Sequence, residues 1–301
     1  MGKYKIVKDN KAVAGVIEAL LIVALVSIII STIQLIYIPE IMKQKESDHM
    51  EDIENQISFL KAVIDIQSIE KKDVPITSTI TLGSRELPYF VTARGFGELS
   101  IVGIDNNNKI NIDFGAKNIP LTSIKYEAVN SYFIDQIYAI EGGCIILKQN
   151  DGETVRVEPT IKIENRSNEI NIYYDIPIII GISGKNQTSG YKNCFIRTNF
   201  SNTDDDWISY TNISNMNIST DYPIAWHDLF DYLFDNNVNI EHGSSFVKIT
   251  RKNKVINLYY KETYLYAQIS PGWIIWRLSY YHLKNHNITH IKGKKWKTLN
   301  I

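Results

Sequence analysis

Three histidines spaced four apart, His282, His286 and His290, form the one arrangement of metal-ligand type in this chain, since on a helix that spacing lines imidazoles along one face. Their neighbours Tyr280, Tyr281, Ile288 and Thr289 favour strand or loop, and Asn287 opens a sequon between them, so no metal is assigned. Asp204, Asp205 and Asp206 offer oxygens to calcium but lack the D-x-D-x-D-G spacing of a calcium loop, and they fit a solvated loop better. No G-x-S-x-G, P-loop, H-E-x-x-H or G-x-G-x-x-G occurs, and Gly95-Phe96-Gly97 lacks a strand-then-helix context. No catalytic or cofactor-binding residue is therefore assigned, and no cofactor is expected. Trp273 and Trp276 point to opposite faces of a regular strand, where filling a core is their default role.

Modification chemistry is better represented. Asn-x-Ser/Thr sequons begin at Asn165, Asn186, Asn199, Asn212, Asn217 and Asn287, and four of these fall in a polar, turn-rich stretch that could accommodate a glycan. Cys144 and Cys194 are the only cysteines, and outside a cell a disulfide between them is chemically permitted. Two buried free thiols are the alternative, and spacing does not decide between them. With Lys+Arg 32 against Asp+Glu 33 and a net charge of −1, the chain has no polybasic field for a nucleic acid partner.

Whatever these groups do, they are positioned by one segment near the start, VAGVIEALLIVALVSIIISTIQLIYI, residues 13–38. Ala19 to Ile38 carries no charge, and as a helix it would match the roughly 30 Å hydrocarbon thickness of a bilayer. Apolar residues occupy every side of the helical wheel, and the run exceeds the 7–15 residues of a cleaved signal's apolar region. The lipid bilayer is the expected partner. Lys3, Lys5, Lys8 and Lys11 place residues 1–12 in the cytoplasm as a basic head, so the remaining chain lies outside, on the cell surface. Glu18 stands inside the apolar run, either serving a function or resting at the cytoplasmic interface.

Lys11, Ala12, Val13, Ala14, Gly15, Val16 and Ile17, followed by Glu18 and the long apolar helix, resemble the class III signal of archaeal type IV pilins. The resemblance implies a prepilin-type peptidase as a partner, a retained helix, and assembly with copies of itself or with pilin-like subunits through that helix. Cleavage after Gly15 would put Glu18 third in the mature chain and cleavage after Ala12 would put it sixth, so both cuts stay open. The run IPEIMKQKESDHMEDIENQISFLKAVIDIQ with ITSTITLGSRELPYF and GFGELS is similar to a family of archaeal pilin-like surface proteins of undetermined function, over about the first hundred residues. It implies a membrane-anchored structural or adhesive protein, with a minor pilus component as one form. The rival from another class is a membrane-tethered ectoenzyme or a glycan-binding β-sandwich protein that does not polymerise.

Pro39 predicts a kink or a restart of the helix. Beyond it, Met50, Ile53, Ile57, Leu60 and Ile64 recur at steps of three and four, predicting an amphipathic stalk over 39–72 that packs on its own domain or on neighbouring copies. From Val74 the period becomes two. ITSTITL, GELSIVGI, KINIDF, CIILKQ, ETVRVEP, EINIYYD, SFVKITR, KVINLYY and TYLYAQI predict short strands separated by polar turns, among them Asn150-Asp151-Gly152. The fold class is thus mainly β: a transmembrane and stalk helix, then an antiparallel, jelly-roll-like sandwich over 73–301, with a loop-like stretch at 181–190 as a candidate division. Ala225, Trp226, Leu229, Phe230, Leu233 and Phe234 predict one helix near 223–236, capped at Asp221 and packed on the sheet.

Overall fold

The structure, a computed structural model, describes residues 10–84, 95–102, 110–115, 117–182 and 186–271. It opens with an unbroken run of helix in three parts: α1 (Asn10–Thr32), a π-helical turn (Ile33–Tyr37) and α2 (Ile38–Glu70). Pro39 neither ends nor restarts this helix, contrary to one of the two outcomes its ring predicts. A proline cannot donate to the carbonyl four residues back and its ring crowds that carbonyl. Widening the preceding turn relieves both, and the Ile38 N–H donates to the Ile33 carbonyl, five residues back. At the far end Lys71 adopts a left-handed conformation, φ 53°, and its N–H closes onto the Gln67 carbonyl, which stops the helix.

The two halves of the helix have opposite surroundings. In α1 every described side chain is exposed, Leu20, Leu21 and Ile28 by more than 60%. This is the one helix among the described residues that is long and apolar enough to cross a membrane. In α2 a stripe of Ile38, Met42, Glu46, His49, Met50, Ile53, Ile57, Leu60, Ile64 and Gln67 is buried, following the helical period along its length. The partner of that stripe is the chain's own β body.

The body comprises β1 (Ile76–Thr81), β2 (Phe96–Val102), β3 (Asn111–Asp113), β4 (Asn118–Pro120), β5 (Ser123–Val129), β6 (Gln136–Glu141), β7 (Cys144–Gln149), β8 (Gly152–Val157), β9 (Ile161–Asn165), β10 (Glu169–Gly181), β11 (Gln187–Gly190), β12 (Asn193–Thr203), β13 (Ile208–Ile213), β14 (Asn215–Ser219), β15 (Val238–His242), β16 (Phe246–Arg251) and β17 (Val255–Pro271), with α3 (Pro223–Phe234) between β14 and β15. They form three sheets, ordered β1-β12-β17-β10-β9 with β13 also on β17, β11-β2-β5-β6-β7-β8, and β15-β16-β14-β3-β4. The body is mainly β and mostly antiparallel. The departure is β10 on β17, a parallel pair in register from Glu169↔Val255 to Gly181↔Ala267. Parallel neighbours need a long crossover, and the chain supplies one through β11 to β16 and α3. The segments KVINLYY and TYLYAQI are not two strands but one, β17, with no turn residue between them.

Two cores explain the burial. One lies under α3 and joins Trp226 and Phe230 to Ile112, Ile172, Ile218, Val247, Ile249, Ile256 and Leu258. The other joins the α2 stripe to Ile80, Leu99, Ile124, Tyr126, Ile196, Leu265 and Ile269. β17 serves both with alternate residues: Ile256, Leu258 and Tyr260 enter the first core, Leu265, Ala267 and Ile269 the second, one from each face. The same double duty explains why Ile176 to Ile180 reads as a continuous apolar run, Ile176 and Ile178 facing one core and Ile179 the other.

α3 starts where expected but is not capped by Asp221. Its N-cap is Tyr222, without a side-chain cap bond, and Pro223 occupies the first turn, where a missing N–H costs nothing. The Ile224 N–H, one of the donors a helix start leaves over, is taken by the Glu153 carboxylate from β8 at 3.1 Å. The thiols Cys144 and Cys194 are both buried and unpaired, one in each core, so the structure contains the free-thiol alternative and no disulfide.

Candidate functional site

The face of the first sheet that α2 covers extends beyond the end of that helix. At the covered end Leu265, Ala267 and Ile269 meet apolar side chains of α2. Continuing along β17 on the same face come Thr263, Lys261, Tyr259 and Asn257, beside Pro177, Asp175, Tyr173 and Asn171 of β10. Strand alternation thus puts a polar and aromatic strip just past the tip of α2. With 33 residues at 1.5 Å each, α2 holds this strip about 50 Å from the apolar segment.

The centre of the strip is aromatic. Tyr173 and Tyr259 are directly paired across the strands, and their rings stack at 4.9 Å with 14° between planes. Trp207, ahead of β13 and 47% exposed, sets its indole edge-on to Tyr173 at 6.0 Å. Lys162 on β9 and Lys261 on β17 place their ammonium groups 5.9 Å and 6.0 Å from the Tyr173 and Trp207 ring centres, within cation–π range. Polar groups border it on both sides. Asn257 donates to Asn171 Oδ1 at 2.9 Å and to Glu169 Oε2 at 3.2 Å, while its own oxygen accepts the Asn212 N–H. On the other side Thr263 donates to Asp175 Oδ1 at 3.0 Å. Burial raises the Asp175 carboxyl above its ordinary range, and the Thr263 hydroxyl and the Lys261 charge partly reverse that. Ordered aromatics flanked by amides, a carboxylate and ammonium groups suit stacking on, and hydrogen bonding to, a polar ligand with an apolar face.

Two buried carboxylates elsewhere in the body are closed off by their partners. Glu262, 1% exposed, pairs with Lys117 at 2.9 Å and accepts from the Tyr264 hydroxyl. Glu141, fully buried, accepts from Thr220 at 2.5 Å and from the Trp226 indole at 2.9 Å, while its second oxygen has no partner. Desolvation lifts its pKa to about 7, against the two hydrogen bonds, which lower it.

The residues singled out in the sequence are scattered. Ala12 lies in α1, a side chain at Gly15 would meet only open space, and Glu18 is exposed on the bare helix. Among the sequons Asn165 and Asn212 are exposed, their side-chain oxygens accepting from Lys254 and Arg251. Asn186, Asn199 and Asn217 are half-buried, and the Asn199 amide nitrogen is engaged by Asp73 at 2.5 Å. Asn287, His282, His286 and His290 lie outside the described residues, as do Trp273 and Trp276. Among the described residues no three His, Cys, Asp or Glu side chains converge as a metal site. Asp204 holds β17 through the Glu262 N–H at 3.1 Å, leaving only Asp205 and Asp206 exposed.

The aromatic strip was missed because each of its members looks ordinary alone; only the parallel register brings Tyr173 to Tyr259. Glu46 was missed too, although a carboxylate on the buried stripe of an amphipathic helix is a readable signal. No family model matches the chain, and no curated protein and no solved structure matches it. Fold and site therefore define the class alone: a mainly β body built on the second half of a long helix whose first half is a candidate membrane anchor.

Proposed function

We propose that this chain is a non-enzymatic, pilin-like surface protein, anchored by α1 with its basic head in the cytoplasm, that holds a β body outside the bilayer and displays the Tyr173–Trp207–Tyr259 strip for adhesion. One observation carries the reading: a single helix is bare and apolar along α1 and is the buried spine of the body along α2. A solvent that matches the first half is lipid. Glu18 and the small residues before it support pilin-type processing, and the exposure of Asn165 and Asn212 supports glycosylation at those sequons. In intact cells an impermeant amine reagent should label Lys162 and Lys261, and carbonate washing should leave the chain in the membrane. Release by carbonate, or labelling only after lysis, would sink the proposal.

The strip also favours the second reading, a solitary glycan-binding protein, because sugars present an apolar face to aromatic rings and hydroxyls to amides and carboxylates. Trp207→Ala should then abolish binding to glycan-coated beads with an unchanged circular dichroism spectrum. The two readings part on sheared surface fibres: a pilus subunit is recovered there and a solitary protein is not.

A further inference from the structure

The contacts of α2 show which end of the body faces the apolar segment. Gln67, far from it, reaches Val74 and Thr198; Gln56 meets Thr81; His49 meets Tyr126; and Glu46 meets Ser131, Tyr132 and Phe133. As the helix is followed back toward Ile38, the body contributes the end of β1, the middle of β5 and the loop after β5. Glu46 is eight residues from Ile38, about 12 Å along the axis. Burial of the helix begins at Ile38, 6% exposed, and Met42, fully buried, whereas Tyr37 is 63% exposed.

The rim at this foot is apolar and aromatic. Phe96 and Val129 pair across β2 and β5 and are 50% and 57% exposed. Tyr191 packs edge-on against Phe96 at 6.2 Å, Lys192 sits 5.8 Å from the Tyr191 ring, and the Lys192 carbonyl binds the Leu82 N–H. Ile134, in the loop held by Glu46, is 44% exposed. The body already covers Ile38 and Met42, so its foot begins within the roughly 5–8 Å that the headgroup zone adds to each side of the hydrocarbon, and the rim at that foot meets this zone. Exposed aliphatic and aromatic groups with a lysine among them are what that zone accommodates, rings at headgroup depth and the ammonium on phosphate.

We infer that the rim formed by Phe96, Val129, Ile134, Tyr191 and Lys192 is a membrane-seating surface that rests in the headgroup layer of the bilayer crossed by α1. This rests on the reading of α1 as a membrane span. Seating at one rim, with α2 rigidly packed, fixes the tilt of the body and aims the Tyr173–Tyr259 strip away from the lipid. Glu98 lies two residues from Phe96 on β2 and Asp135 follows Ile134, so Lys192 does not make the rim a cationic patch, and the contact is driven by apolar area, is not specific for anionic lipid, and is insensitive to salt.

The test uses the full chain reconstituted in phosphatidylcholine vesicles. Ile134→Cys, Tyr191→Cys, Ser209→Cys and Leu25→Cys are each labelled with an environment-sensitive fluorophore, with quencher lipids carrying nitroxide in the headgroup or in the acyl chain. Labels at 134 and 191 should be quenched several-fold more by headgroup nitroxide than the label at 209, with no change in high salt, while the label at 25 responds to the acyl-chain quencher. Quenching at 25 with 134 and 191 no more quenched than 209 would overturn the seat and leave the anchor standing. No quenching at 25 would overturn the anchor, and the seat with it.

Discussion

The carboxylate of Glu46 on α2 holds the backbone of Phe133 in the β5–β6 loop, its Oε2 accepting the Phe133 N–H at 2.7 Å. The same oxygen accepts the Tyr132 N–H at 2.7 Å, and Oε1 that of Ser131 at 3.0 Å, so one buried side chain satisfies three consecutive amides. Charge-assisted bonds of this kind are about twice as strong as neutral ones. They join helix to body near the apolar segment, where no sheet hydrogen bonds can.

Glu46→Ala should cost about 2–4 kcal/mol in urea unfolding of the detergent-solubilised chain, because three partly buried donors lose their acceptor. Glu46→Gln should recover little of it, since its NH2 would face an N–H. Hydrogen exchange at Ser131, Tyr132 and Phe133 should quicken in both variants while Gln67, at the other end of α2, stays protected. Unchanged exchange at those three amides would refute the clamp.

Much of the scaffold was legible in the sequence because one pattern determines it: the twenty uncharged residues to Ile38, the three-and-four stripe through Ile57, and the period-two strands each follow from burial on one side. The Asn150-Asp151 turn does join β7 to β8, with Gln149 opposite Gly152. What was not legible depends on long-range register. Tyr173 and Tyr259 lie in segments that read identically whether parallel or antiparallel, and Glu141 becomes a buried carboxyl only because Trp226 of a distant helix closes over it. The single strand β17 reads as two because its charged middle, Lys261 and Glu262, breaks the apolar alternation, and only the fold shows Lys117 neutralising Glu262.

Glu141 makes stability depend on pH. Its pKa rises from 4.5 to about 7 on folding, so between those values the folded chain binds the proton that the unfolded chain has released. Stability from this group is complete below pH 4.5 and lost as pH rises through about 7, by up to about 3 kcal/mol. Glu141→Gln keeps an oxygen for Thr220 and Trp226 without the charge. Its stability relative to wild type should therefore increase from pH 5 to pH 8, measured by unfolding at each pH; a constant difference would contradict a carboxyl that deprotonates inside the fold.

His49 acts with the opposite sign. Tyr126 donates its only hydroxyl proton to the Leu82 carbonyl at 2.9 Å, so His49 Nε2, 3.1 Å from the Tyr126 oxygen, is the donor there. Burial lowers the imidazole pKa from 6.5, and the Asp52 charge, the Leu82 carbonyl and the Glu46 charge only partly restore it. The unfolded chain then takes up the proton first, and the stability present above pH 6.5 is lost as pH falls below it. His49→Gln, with a donor for Tyr126 and no titration, should flatten that acid-side loss. In wild type the two groups oppose each other, so Glu141→Gln should expose the acid-side loss and His49→Gln the loss toward neutral pH.

Cys144 and Cys194 supply the last expectation. On β7, Cys144 and Ile146 face the core under α3 while Ile145 and Leu147 face the core under α2, so this strand is a wall between the cores. Cys194 lies in the α2 core, on the far side of that wall from the Cys144 sulfur, which donates to the Glu141 carbonyl at 2.8 Å. Joining them would require one strand to turn its side chains over, which is a register slip of one residue and would expel every apolar partner on that face. Burial also holds both thiols protonated, raising Cys144 above its ordinary value and pushing Cys194 up to about 12. The native protein should therefore react with no thiol reagent at pH 8, release two equivalents once unfolded in guanidinium, and unfold at the same denaturant midpoint with or without reductant. A midpoint that falls on reduction would mean that the sulfurs are bonded and that the wall between the cores is not where β7 places it.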